Sequence, residues 1–140
     1  MQRRVIPPAA AKTLGSANIL LVEDDPGIGN FLKQNIEEDT PYNITVVYDG
    51  EQALEKAQHI HPCLLMLNYR LPGMNGLQVY DHLQTMNETK DVPVIMMSAT
   101  LPIEELQRRG IYQLRKPTDP SNVMATTTPN THHCSQSAWK

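Results

Sequence analysis

LLMLNYRLPGMNG, running from Leu64 to Gly76, decides the fold. It starts as an unbroken apolar run, extended backwards by Cys63, and that run stops at Asn68. Pro72, Gly73, Asn75 and Gly76 then supply turn chemistry before a new apolar period begins. A strand buried on both faces reads as a continuous apolar run, not an alternating one. The stretch therefore predicts a buried strand over Cys63–Leu67 whose exit turn displays Asn68 at its tip.

The same logic repeats on either side. NILLV (Asn18–Val22) is another apolar strand, followed by Glu23, Asp24, Asp25 and Pro26. Ile28, Phe31, Leu32, Asn35 and Ile36 keep helical spacing, with Asp25 placed to cap and Pro26 suited to the first turn. NITVVY (Asn43–Tyr48) is β-branched and strand-like, and Ala53, Leu54, Ala57 and Ile60 return to the helical period. Leu77, Tyr80, Leu83 and Met86 form a third helical stripe. VPVIMM (Val92–Met97) is a fourth strand, Glu104–Arg109 a short polar helix, and YQLR (Tyr112–Arg115) a weak fifth strand. Apolar strands alternating with helices predict an α/β fold, a doubly wound five-stranded parallel sheet covered on both faces. In such sheets ligand chemistry gathers at the carboxyl ends of the strands.

The bulk numbers fit this. A chain of 140 residues suits one domain, and 40% apolar content excludes wholesale disorder. A net charge of -3 offers no basic footprint for nucleic acid and no polybasic patch for a membrane. No apolar run approaches the roughly 18 residues of a membrane span, and MQRRVIPPAAAK lacks the apolar stretch of a secretory signal. The two cysteines, Cys63 in an apolar run and Cys134 in a polar stretch, make a poor disulfide framework. Cys63 is expected as a reduced core residue, which implies a cytoplasmic location. Residues 1–17 read as a flexible leader, 18–117 as the domain, and 118–140 as an irregular polar tail. His132 and His133 beside Cys134 read as solvated tail residues, not metal ligands.

The strand ends deliver Glu23 and Asp24, then Asn68, then Ser98, then Lys116 before Pro117. Any one of these is uninformative, but the ordered set is not. The stretches ILLVEDDPGI, LLMLNYRLPGMNGLQVYDHL, VPVIMMSAT and LRKP, spread from about Ser16 to Pro117, resemble the response-regulator receiver domains of bacterial two-component signalling. RLPGMNG is the most specific of these segments. The resemblance implies a CheY-like, flavodoxin-like fold. It assigns Glu23 and Asp24 to a Mg²⁺-binding acid pair, Ser98 to a switch hydroxyl and Lys116 to a phosphate-contacting lysine. At the phosphate-accepting position, where the family carries aspartate, this chain carries Asn68.

That difference has a chemical consequence. An acyl phosphate forms when an anionic carboxylate oxygen attacks phosphorus. An amide oxygen carries no full charge, and its lone pair is delocalised into the C–N bond. Asn68 can accept or donate hydrogen bonds but cannot form that mixed anhydride. It also removes one negative charge from a site meant for a hard divalent cation, so Mg²⁺ affinity should fall.

Other departures point the same way. The stretch from Ser98 to Lys116 is short, so the fourth helix should be stunted. Gln113 stands where the family places an aromatic residue, with Tyr112 beside it. Pro117, Asp119-Pro120 and TTTPNT are incompatible with a regular fifth helix. An absent fifth helix would leave an apolar face to be covered by the tail, by a second copy of the chain or by another protein. The leading expectation is a pseudo-receiver, a phosphorylation-independent interaction module that requires no cofactor and binds Mg²⁺ weakly at most. In the metal-free alternative Lys116 pairs with Glu23 or Asp24. The partner is expected to be a signalling protein, or a second copy through the uncovered face, with no nucleic acid and no membrane. Other readings are an ordinary phosphoaccepting receiver carrying an engineered Asn68, the receiver of a longer DNA-binding regulator, and a small phosphate-binding enzyme. The last lacks an aspartyl nucleophile, and Gly27 and Gly29 lack the spacing of a phosphate loop, so no enzyme activity is expected.

Overall fold

The computed structural model describes residues 18–98 and 103–115. Its elements alternate: β1 (Asn18–Val22), α1 (Pro26–Asp39), β2 (Asn43–Val47), α2 (Gly50–Ile60), β3 (Leu64–Asn68), α3 (Gly76–Leu83), β4 (Val94–Ser98), α4 (Ile103–Arg108) and β5 (Tyr112–Arg115). The strands form one parallel sheet in the order β2-β1-β3-β4-β5. This is a flavodoxin-like order, and its direction reverses between β1 and β3. The crevice above that reversal lies between the ends of the strands that carry Glu23 and Asn68.

Successive side chains of a strand point to opposite faces. Here both faces are apolar. Ile19, Leu21, Leu64, Met66, Ile95 and Met97 pack on the α1 side with Leu32 and Ile36. Leu20, Val22, Leu65, Leu67, Val94 and Met96 pack on the other side with Ala53, Ala57, Val79, Leu83 and Leu106. The unbroken apolar runs follow from this two-sided burial.

Local chemistry sets the helix boundaries. Asp25 caps α1, accepting from the N–H groups of Gly27 at 2.8 Å and Ile28 at 3.3 Å, with Pro26 in the first turn. Asn75 caps α3 in a reciprocal capping box with Gln78. Thr89, fully buried, donates from its hydroxyl to the Leu83 carbonyl at 2.6 Å just beyond that helix. Two stripes differ from expectation. Phe31 is 41% exposed, and Gly29 takes its place in the buried set of α1. On α3 the buried set is Gly76, Val79 and Leu83, while Leu77 and Tyr80 are only partly covered. In each case the apolar stripe is wider than the strip in contact with the sheet.

The expected stunted fourth helix is present: α4 has 6 residues. It is tied to α3 through Arg109, which donates to Glu105 at 2.6 Å, pairs with Asp81, and lies 5.8 Å from the centre of the Tyr80 ring. The question of a fifth helix, the leader and the tail fall outside the described residues. On the α1 side of the sheet, Leu64, Met66, Ile95 and Met97 are each 0% exposed. A correction concerns Cys63. It is buried as expected, yet it is disulfide-bonded and not a free thiol. It sits one residue before β3, its sulfur 3.2 Å from the Asn18 carbonyl oxygen, at the end of the sheet and not mid-strand. The other cysteine, Cys134, is outside the described residues. Cysteine usage therefore gives no support to a reducing compartment.

Candidate functional site

The carboxyl ends of β1 and β3 are adjacent because Val22 is level with Leu67 in the sheet. One residue further along each strand stand Glu23 and Asn68. Glu23 is 1% exposed and Asn68 is 5% exposed, while Asp24 is open to solvent. The Asn68 amide nitrogen donates to Glu23 Oε2 at 3.2 Å and to Asp24 Oδ1 at 3.0 Å. Both partners are carboxylates, which accept only when ionised, so the NH₂ end of the amide must face them. Glu23 Oε2 also accepts the Asp25 backbone N–H at 3.1 Å. A buried carboxylate thus gains two N–H donors, and one amide spends both of its protons on two acids.

The loop behind Asn68 holds this arrangement in place. Tyr69 N–H donates to the Met97 carbonyl at 2.8 Å, extending the β3–β4 ladder past the site. Gly73 takes a left-handed conformation, φ 76°, within the turn. Gly76 N–H then donates to the Tyr69 carbonyl at 2.7 Å, which seats α3 against the strand end. A Cβ on Gly76 would lie 2.6 Å from the Asn68 carbonyl oxygen and 2.9 Å from Tyr69 Cα, so only glycine permits this approach.

The remaining expected site residues are placed as follows. Ser98, 3% exposed, ends β4 next to β3 and is level with Arg115 on β5. Gln113 is level with Met96, two residues short of Ser98, and Tyr112 is level with Ile95 and 55% exposed. Lys116 lies outside the described residues. The sheet therefore gathers Glu23, Asp24, Asn68 and Ser98 at one rim. Sequence reading missed the amide's bridging role, although two acceptor-only groups beside a double donor were a usable signal.

Mg²⁺ takes hard oxygen ligands in near-octahedral geometry. The Asn68 NH₂ points at the acid oxygens that would coordinate it, so the residues as arranged do not fit the ion. Fitting it would require turning the amide to present Oδ1 and breaking both charge-assisted hydrogen bonds. Among the described residues no group of three or more His, Cys, Asp or Glu side chains is placed to hold a metal.

Over residues 19–128 the sequence matches the family profile of the response regulator receiver domain. The chain belongs to the response regulator receiver family. Its place is therefore as a receiver domain in two-component signalling. The receiver is 32% identical over 87 residues to the DNA-binding dual master transcriptional regulator RpaA of Synechocystis sp., covering 62% of this chain and 36% of that protein. It is 33% identical over 81 residues to the DNA-binding response regulator MtrA of Mycolicibacterium smegmatis, covering 58% of this chain and 34% of that one. The receiver thus matches only about a third of the length of these relatives. Among solved structures, the chemotaxis protein CheY4 of Vibrio cholerae superposes with a TM-score of 0.75 at 22% identity, over 81% of this chain and 98% of that one. The receiver domain of a LuxO repressor protein from Vibrio parahaemolyticus gives 0.76 at 25% identity, over 86% and 94%. No helix among the described residues is long and apolar enough to cross a membrane.

Proposed function

We propose that this receiver works without phosphorylation, as a pseudo-receiver that binds a protein partner in a signalling pathway through a fixed surface. The supporting observation is the Asn68 bridge. The position that would carry the phosphoryl group holds a neutral amide, and that amide is already bonded to both acids that would hold the metal. A carboxylate in its place would repel Glu23 and Asp24 and would need a cation between them. The amide adds no third charge and offers the two acids N–H donors instead, so in this reading the chain needs no cofactor at this rim and binds Mg²⁺ weakly at most. Ser98 remains as a buried hydroxyl with no phosphoryl oxygen to follow. The domain carries out no catalysis, and a net charge of -3 gives it no nucleic-acid footprint.

Incubation with a small acyl phosphate and Mg²⁺, followed by intact mass measurement, tests the proposal. Unchanged mass is expected. A stoichiometric, hydroxylamine-labile gain of one phosphoryl group would sink it.

A further inference from the structure

β2 is an outer strand of the sheet, and outer strands offer unpaired N–H and C=O groups to any strand that comes alongside. Glu23 N–H donates to the Val47 carbonyl at 3.0 Å, which makes Asn43, Thr45 and Val47 the rungs that face β1. Ile44, Val46 and Tyr48 therefore face outward. Side chains already hold both polar groups of Ile44 and the N–H of Tyr48. Ile44 N–H donates to Glu37 Oε2 at 2.8 Å, and the Ile44 carbonyl accepts from Lys33 Nζ at 2.8 Å. Lys33 Nζ also donates to the same Glu37 oxygen at 2.8 Å, so the pair grips both polar groups of one residue. At the other end Tyr48 N–H donates to Gln52 Oε1 at 2.8 Å. Gln52 is itself held, its own N–H donating to the Asp49 side chain at 2.8 Å.

We infer that Lys33, Glu37 and Gln52 close this edge of the sheet, and that the association they prevent is strand pairing with a second copy of this chain through β2. The occupant follows from the strand itself. Asn43–Val47 is β-branched and carries no charge, so two copies would meet no like-charge repulsion. Outward rungs recur every second residue, and a pairing strand needs several in succession. With Ile44 and Tyr48 taken, only Val46 remains between them. The guard residues come from two helices, α1 and α2, so opening the edge requires losing contacts on both.

The test uses the full chain. In the wild type, the outward amides of Ile44 and Tyr48 should exchange with solvent about two- to tenfold more slowly than that of Val46, the protection one hydrogen bond confers. The triple variant Lys33→Ala, Glu37→Ala, Gln52→Ala should bring all three to one rate and should show a concentration-dependent rise in mass over the wild type by light scattering. Adding Val46→Pro, which removes the central outward donor where proline is tolerated, should restore the wild-type mass. Equal exchange at Ile44 and Val46 in the wild type overturns the inference even if the triple variant fails to fold. So does a folded triple variant of unchanged mass, or association that survives Val46→Pro.

Discussion

Asn68 replaces a negative charge with two N–H donors, and that single change reorganises the rim. Glu23 is almost wholly buried, so it depends on donors such as the Asn68 amide and the Asp25 N–H more than solvent-exposed Asp24 does. Asn68→Ala should therefore destabilise the domain by about 1–3 kcal/mol, mostly through Glu23, as measured by chemical denaturation. A loss under about 0.5 kcal/mol would mean that water replaces the amide without cost. Gly76 gives a second residue-level prediction. Its added methyl would meet backbone on two sides, which cannot rotate away, so Gly76→Ala should cost at least the roughly 1–3 kcal/mol of an overpacked site. Thermal melting of that variant checks it. The residues gathered at the rim were readable in order along the chain. The bridge between them was not, because it depends on β1 and β3 lying side by side in register, which sequence spacing does not encode.

At the level of elements, hydrophobic pattern located the strands to within two residues and the fourth helix to within one, since two-sided burial leaves a plain mark in the sequence. It placed individual side chains less well. Phe31 matched the helical period yet faces solvent, and Val79 escaped notice yet is 0% exposed, because periodicity gives a helix face but not how far the sheet extends beneath it. The attachment of α4 to α3 was also invisible, as it joins residues far apart in sequence. Arg109 donates to Glu105 and holds that carboxyl below the usual carboxylate range, with Arg108 adding to the effect. A lowered folded-state pKa means that the contribution is complete above the ordinary glutamate range, near 4.3, and is lost as pH falls through the lowered value. The protection of the α4 amides, relative to their intrinsic exchange rates, should thus hold from neutral pH down to about 4.5 and weaken below it, ahead of the β1–β3 ladder. Arg109→Ala should remove that pH step. If the step persists in the variant, another carboxylate controls the helix.

For the whole molecule, the five-stranded parallel sheet and both apolar layers were predictable, whereas the bonded state of Cys63 was not, since the apolar run around it carries no sign of a second thiol. A metal that binds only the folded state raises stability by RT ln(1 + [L]/Kd). With Asn68 turned toward the acids, a Kd above about 10 mM is expected, so about 10 mM Mg²⁺ should add less than about 0.4 kcal/mol, a shift of roughly 2–3 °C in Tm at most. Calorimetry with and without the ion checks this, and a larger shift would mean that the amide turns readily.

The seating of α3 also protects the chain from chemical ageing. Asn–Gly is the dipeptide most prone to cyclise, the glycine nitrogen attacking the asparagine side chain to form a succinimide that opens to aspartate or isoaspartate. At Asn75-Gly76 both reacting groups are held: the nitrogen's proton is committed to the Tyr69 carbonyl at 2.7 Å, and the asparagine oxygen accepts from Gln78 N–H at 2.9 Å. The loop that positions Asn68 is thereby shielded from the hydrolysis that its own sequence invites.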